Sequence, residues 1–302
     1  MTLINMNNKT LIIILGPTAI GKTSLSIKLA KHYNTEIISA DSRQFYKELK
    51  IGSAAPEKKD LSEVKHNFIH NLSVTEDYNV GKFEKDAMNK IKKIFEKKEK
   101  IIMVSGSGLY IDAICKGFDE MPKIPLKIRK KVIDLYENNG IDFLQLELKK
   151  YDPTYFNEVD IHNPQRLMRA LEIIYFTGKK FSDFRKKKLK KRSFNIIKIG
   201  LKMNREDLYK RINQRVDSMI ENGLINEAKP LLKYRNKNSL QTVGYKELFE
   251  YFDGKFNEDE AIAMIKQNTR RFAKRQITWF KRDLMINYFY KNEIKDIIKF
   301  IG

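Results

Sequence analysis

Cysteine is almost missing from this 302-residue chain: Cys115 stands alone. That excludes a disulfide framework and a cysteine-based zinc site, and it points to a reducing, cytoplasmic setting. Long apolar runs are missing as well. No stretch approaches the roughly 18 uninterrupted apolar residues of a membrane span, so no membrane span is expected. The first apolar run, Leu11 to Leu15, is too short for a secretory signal and leads into a glycine loop rather than a cleavage site. Histidine is scarce. No acid completes a zinc pattern with His32, His66, His70 or His162, so no structural metal is expected. Acids are outnumbered, with 38 Asp+Glu against 59 Lys+Arg and a formal net charge of +21. An excess of this size favours a polyanionic partner, either nucleic acid or an anionic membrane surface. The competing explanation is an A/T-rich genome that favours Lys, Asn and Ile codons. Hydrophobic residues make up 42% of the chain, enough for a packed core.

The first third alternates strand and helix. Leu11-Ile12-Ile13-Ile14-Leu15 reads as a buried parallel strand. A glycine loop follows, then a helix from about Thr23 to His32 and a short strand at Glu36-Ile37-Ile38-Ser39. Apolar residues recur at helical spacing from Lys82 to Lys98, before a third strand at Ile101-Ile102-Met103-Val104. This alternation predicts an α/β fold with a parallel sheet. The pattern changes after Phe118. From 119 to 193 only helical periodicity is present, broken near Asp152-Pro153 and Asn163-Pro164. Asn195 to Leu201 reads as another strand of the first sheet, and the remainder as helical. The expected organisation is an α/β core (1–118 and 194–302) with a helical insertion of roughly 70 residues. Lys179 to Arg192 holds nine Lys/Arg and one Asp, and reads as a mobile arm or loop.

Gly16-Pro17-Thr18-Ala19-Ile20-Gly21-Lys22-Thr23 fits the phosphate-loop pattern G-x-x-x-x-G-K-[ST], with a strand before it and a helix after it. Backbone N–H groups and the helix N-terminus cradle phosphate in such a loop. Lys22 adds a cation, and the Thr23 hydroxyl suits Mg²⁺. The motif names a polyphosphate ligand but no reaction. Asp41 follows the second strand, so it stands at the same crevice at the carboxyl ends of the strands. It could hold Mg²⁺ through water, act as a general base or cap a helix. Ser105-Gly106-Ser107-Gly108 is a second glycine turn after a strand, with Ser107 the better-placed hydroxyl for a phosphoryl oxygen or an acceptor. In the helix opened by Pro164, Arg166 and Arg169 share a neighbourhood and form a polar edge with Gln165; RNA contact and a solvated face are both open. The run from Gln267 to Phe280 mixes basic residues with Phe272, Trp279 and Phe280, read either as an RNA-following helix or as core aromatics beside solvated bases.

Together these motifs resemble the bacterial tRNA dimethylallyltransferase family over about residues 10 to 290. The resemblance rests on the phosphate loop and on Asp41-Ser42-Arg43-Gln44-Phe45-Tyr46. Gly52-Ser53-Ala54-Ala55-Pro56, Pro164-Gln165-Arg166-Leu167, Val243-Gly244-Tyr245-Lys246-Glu247 and Ala273-Lys274-Arg275-Gln276-Ile277-Thr278-Trp279 follow in order. It implies a phosphate-loop NTPase-like core and transfer of a dimethylallyl group from dimethylallyl diphosphate to N6 of adenosine 37 in tRNA, beside the anticodon. By the match, residues 16–23 and Mg²⁺ at Thr23 hold the diphosphate, Asp41 deprotonates the amine, and Thr18, Ser107 and Arg215 complete the site. Asp41, Ser42, Arg43, Gln44, Ser107, Arg129, Gln165, Arg166, Leu167, Met168 and Arg169 would meet tRNA, and the insertion would take the anticodon stem. A monomer is expected. Three positions depart from the family's usual pattern: Ser105-Gly106-Ser107 where Gly-Gly-Thr is common, Ala55 where Lys is usual, and Ile20 in place of a small residue. The competing activities are a small-molecule kinase using ATP, a non-catalytic RNA-binding module and an adenylate isopentenyltransferase.

Overall fold

The computed structural model describes residues 8–186 and 189–302. Lys187 and Lys188, within the basic run expected to form an arm, lie outside the described residues. The chain divides into two compact units, residues 1–116 with 191–302 and residues 117–190.

The first unit opens with β1 (Thr10–Leu15), every residue of which is buried. There follow α1 (Lys22–His32), β2 (Ile37–Ser39), α2 (Lys58–Glu63), β3 (His66–Asn67), α3 (Val80–Phe95), β4 (Lys100–Ser105) and α4 (Gly108–Lys116). The second unit contributes α5 (Leu126–Tyr151), α6 (Pro153–Phe156), α7 (Pro164–Thr177) and α8 (Phe181–Phe184). The chain then returns to the first unit through β5 (Asn195–Leu201), α9 (Arg205–Glu221), α10 (Leu224–Ala228), α11 (Tyr245–Phe252), α12 (Glu258–Phe280), β6 (Ile286–Phe289) and α13 (Ile294–Ile301).

The sheet runs β3-β2-β4-β1-β5-β6 and every pairing is parallel. Side chains of β1 alternate between two cores, as strand geometry requires. Leu11, Ile13 and Leu15 join one with α3, α4 and α11, while Ile12 and Ile14 join the other with α1, α9 and α13. Each such side chain, fully buried, contributes roughly 1.5–3 kcal/mol. From β1 the chain passes to β2 on one side; from β4 it passes, by way of the second unit, to β5 on the other. The carboxyl ends of adjacent β1 and β4 therefore form a switch point, where open α/β sheets bind ligands. The phosphate loop follows β1 and the second glycine turn follows β4, so both glycine loops meet there.

Two strands escape the sequence reading. β3 is two residues long and lies at a sheet edge. β6 lies at the other edge, where Asn287 and Tyr288 are exposed and interrupt any apolar run.

The second unit is built on α5 and α7 around Val132, Leu144, Leu148, Leu167 and Leu171. Its helix breaks are capped. The Asp152 carboxylate accepts from Tyr155 N at 3.0 Å and from Ser182 N and Oγ at 2.7 and 2.8 Å. Asn163 Oδ1 accepts from Arg166 N at 3.3 Å, with Pro164 at the first helical position.

Candidate active site

A crevice of about 590 Å³ opens at the switch point. Thr18, Ala19, Gly21, Lys22 and Thr23 of the phosphate loop line it, together with Asp41, Gln44, Ser53, Ala54, Ser105, Gly106, Arg211, Arg215, Gln276 and Lys291. All belong to the first unit.

The loop's shape follows from its sequence. Gly21 has φ +103°, a conformation that side chains resist, and it delivers the N-terminus of α1 to the crevice. Ile20 turns away from the crevice into the core and is 2% exposed, so its size does not reach a ligand. Lys22 Nζ donates to Gly16 O at 2.9 Å and Pro17 O at 2.8 Å, holding the loop closed around its cation. An Arg215 guanidinium N–H donates to Thr18 Oγ1 at 3.2 Å.

Burial lowers the Lys22 pKa to about 8; Asp41 opposes the shift and Arg215 adds to it. The ammonium is thus lost as the pH rises through about 8. A bound polyphosphate favours the charged form and draws the proton back. Pyrophosphate affinity is therefore expected to fall by up to about tenfold per pH unit above pH 8, with proton uptake on binding. Calorimetry in buffers of different ionisation enthalpy measures both, and Lys22→Arg should flatten the profile, since guanidinium stays charged.

Asp41 lies just past β2. Its Oδ1 accepts from Arg43 N at 3.0 Å, a local turn that presents the carboxylate to the crevice. Its neighbours are held inside the protein. The Arg43 guanidinium donates to the carbonyls of Asn238, Ser239 and Gln241 at 2.7, 3.2 and 3.3 Å. Gln44 accepts from Ser39 Oγ at 2.9 Å and donates to Ala54 O at 3.2 Å. Gln44 thus lines the crevice beside Asp41, and Arg43 ties the turn to the segment 238–241.

Ser107 does not line the crevice among the described residues; its carbonyl starts α4 by accepting from Tyr110 N and Ile111 N. Ser105 does line it. The Ser105 hydroxyl donates to Ala40 O and accepts from Ser107 N, both at 2.9 Å, pinning the turn to the end of β2. That serine therefore reinforces the turn where glycine is usual.

In the second unit Gln165 and Arg166 are exposed. Arg169 and Arg129 share the buried Glu172 carboxylate, at 2.9 and 3.2 Å. One carboxylate between two guanidinium groups leaves a net positive charge on this surface. Leu167 and Met168 correct the expectation of RNA contact: they are 0% and 7% exposed and pack in the helical core.

Sequence reasoning missed three groups. Gln276 on α12 accepts from Thr18 N at 2.9 Å and donates to Gly106 O at 2.8 Å, joining the two glycine loops. Ala273, Gln276 and Phe280 are all buried, and their i, i+3, i+7 spacing was a readable sign that Gln276 points inward. Glu227 accepts from the backbone N–H groups of Lys50, Ile51 and Gly52 at 2.9–3.1 Å and from Tyr245 Oη at 2.6 Å. It fixes the loop that carries Ser53 and Ala54. Arg211 stands one helical turn before Arg215, a spacing visible in the sequence, and its Nε donates to Ala19 O at 2.8 Å.

With this geometry in view, the comparisons with known proteins are specific. A family model described as IPP transferase matches residues 44–283. The chain is 54% identical over 292 residues to the tRNA dimethylallyltransferase of Christiangramia forsetii, covering 96% of this chain and 97% of the relative. It is 52% identical over 288 residues to tRNA dimethylallyltransferase 2 of Azobacteroides pseudotrichonymphae, covering 95% and 94%. Among solved structures it superposes on the tRNA isopentenylpyrophosphate transferase of Bacillus halodurans with a TM-score of 0.72 at 36% identity, covering 97% and 95% of the two chains. It superposes on a eukaryotic dimethylallyltransferase acting on tRNA with a TM-score of 0.75 at 29% identity, covering 94% of this chain and 75% of that one.

Proposed function

The chain belongs to the tRNA dimethylallyltransferase family of IPP transferases, and from that premise we propose that it transfers a dimethylallyl group from dimethylallyl diphosphate to N6 of adenosine 37 of tRNA. It is a prenyltransferase acting on tRNA. The observation that carries the finer reading is the crevice itself. Of the two carboxylates that line it, Asp60 is taken up by Glu57 N at the start of α2, and Asp41, directly after β2, shares the crevice with the phosphate loop and with the cations of Lys22 and Arg215.

The chemistry follows from what each group can do. The bond from the allylic C1 to the diphosphate oxygen breaks, and negative charge gathers on the leaving group. Lys22, Arg215 and the N-terminus of α1 face that charge. Thr23 would hold Mg²⁺: its hydroxyl lines the same crevice as the Asp41 carboxylate, an oxygen donor set that suits an ion which keeps much of its shell as water and phosphate. When bound, the ion supplies further neutralisation of the diphosphate. The adenine N6 lone pair forms the new bond to C1, and Asp41 takes the proton that the amine must lose. The target base leaves its stack to reach Asp41, a change that a single-stranded anticodon loop makes inexpensive. Every group assigned to the chemistry comes from one unit of one chain, so a monomer suffices. The second unit, with Gln165, Arg166 and Arg169, supplies phosphate and base contacts to the anticodon stem-loop, and the net charge of +21 fits that polyanion. The cytoplasm, where the substrate resides, is the proposed setting.

The test uses purified protein, Mg²⁺ and labelled dimethylallyl diphosphate with unmodified tRNA, then with AMP, and separately ATP without prenyl donor. Label in tRNA alone is expected. Label in AMP would move the acceptor to a free nucleotide, and ATP turnover without prenyl transfer would replace the reaction with phosphoryl transfer. For the helical surface, the double variant Arg166→Ala/Arg169→Ala is expected to raise the KM for tRNA roughly tenfold and leave the donor KM near wild type. Steady-state titration of each substrate separates the two.

A further inference from the structure

The crevice holds more positive charge than the reaction at Asp41 accounts for. Its outer margin is formed by Lys291, from the turn between β6 and α13, and by Arg211 on α9. Neither forms an ion pair among the described residues. Lys291 is held against the phosphate loop: a Cβ added at Gly21 would lie 2.7 Å from Lys291 Cδ and 3.3 Å from its Nζ. The turn that carries Lys291 is fixed by reciprocal hydrogen bonds, Tyr290 N to Glu293 Oε2 at 2.8 Å and Glu293 N to Tyr290 O at 3.1 Å. Behind it α13 is anchored through Ile297 and Ile301 in the core that also holds α1. Arg211 is tethered to the loop at Ala19 O. Two exposed cations, both held against the loop that leads into the N-terminus of α1, form a site for an anion.

We infer that Lys291 and Arg211 form a subsite for the terminal phosphoryl group of the bound diphosphate, the one farther from the allylic carbon. This rests on the diphosphate-donor reading. The order of contacts along the phosphate loop supports the assignment to the outer phosphoryl: Lys22 holds Gly16 O and Pro17 O and Arg215 holds Thr18 Oγ1, whereas Arg211 holds Ala19 O and Lys291 lies against Gly21. Burial lowers the pKa of both Lys22 and Arg215, and the Asp41 carboxylate opposes that fall at each. Arg211 acts on Arg215 and on Lys291. Asp41 has no such effect on Lys291, whose pKa is lowered by burial and then by Arg211 and Lys28. The acceptor and the breaking bond lie at the Asp41 end, so Lys22 and Arg215 serve the phosphoryl attached to carbon. Lys291 and Arg211 meet the phosphoryl beyond it.

The full-length chain and its Lys291→Met and Lys291→Arg variants would be titrated calorimetrically with inorganic pyrophosphate in Mg²⁺. The inhibition constant of dimethylallyl monophosphate, which lacks the outer phosphoryl, would be measured beside it. Lys291→Met should weaken pyrophosphate about tenfold, the loss of one charge-assisted contact, and leave the monophosphate within about twofold. It should raise the donor KM more than it lowers kcat, and Lys291→Arg should restore most of the loss. Equal loss for both ligands, or loss for neither, overturns the subsite. A rise in the tRNA KM with an unchanged donor KM also overturns it and gives the pair to an RNA phosphate. If the wild-type chain itself binds no pyrophosphate, the donor reading fails before the subsite is at issue.

Discussion

Replacing Asp41 by Asn or Ala is expected to lower kcat by roughly 10²–10⁴, the range for loss of a positioned general base, while donor affinity at pH 7 is kept. The carboxylate directly follows β2 and lines the crevice with the phosphate loop, whereas the other acid lining it among the described residues, Asp60, accepts from Glu57 N at the start of α2; the Asp41 Oδ1 is oriented by Arg43 N at 3.0 Å. Asn keeps that hydrogen bond and the side chain's shape, so the local turn should survive. What it lacks is an oxygen that can take the N6 proton. Removing a negative charge beside a diphosphate site does not weaken anion binding at pH 7. It does withdraw the interaction that opposes the fall in the Lys22 pKa. The Asn variant should therefore lose pyrophosphate affinity at a lower pH than wild type, and that displacement of the titration is measurable without turnover. A variant that lost donor binding and regained it at high Mg²⁺ would instead assign Asp41 to the metal.

What the sequence could show follows from range. β1, the phosphate loop and α1 are contiguous, each specified by its own residues, and Asp41 inherits its place from the rule that strand ends line one crevice. The helices of the second unit are legible for the same reason: Asn163 and Pro164 mark the start of α7 where the cap and the first turn are found. The contacts that finish the site are long-range. Lys291 reaches Gly21 across most of the chain by way of β6, a four-residue edge strand with exposed polar and aromatic positions that carries no clear pattern. Glu227 binds a loop some 175 residues earlier. Nothing local to either residue distinguishes it from a solvated charge. Leu167 and Met168 show the opposite failure. A motif that names consecutive residues cannot say which face of α7 is buried, whereas the 3.6-residue period places both on the core side.

Gln276 is where these lessons meet, and its replacement carries the second large effect. The run from Gln267 to Phe280 reads either as an RNA-following helix or as core aromatics beside solvated bases, and the structure divides it. Lys274, Arg275 and Thr278 are exposed, while Gln276 is 7% exposed and turned toward the glycine loops. Its amide is matched at both ends: Oε1 takes Thr18 N–H and Nε2 donates to Gly106 O. A Cβ at position 106 would lie 2.5 Å from that nitrogen, so the turn needs glycine because Gln276 occupies the space. Gln276→Leu keeps the size but leaves the buried Gly106 O unpaired, which destabilises by about 1–3 kcal/mol, and takes the partner from the half-buried Thr18 N–H at the crevice. The two loops then lose their common strut, and phosphate-loop donors displaced by even ~1 Å cost on the order of 10² in rate. The expected result is a lowered Tm and a kcat/KM reduced about a hundredfold, measured at a temperature where the variant remains folded. Gln276→Glu separates positioning from stability alone. It retains the acceptor for Thr18 N–H, sets a carboxylate against Gly106 O and brings a negative charge near Lys22. Donor KM should then rise further than in the Leu variant, and the pH above which pyrophosphate is lost should move upward as the new charge favours protonated Lys22. A Glu variant with wild-type donor KM and pH profile would reduce Gln276 to a packing residue and leave the joining of the two loops without a role in donor binding.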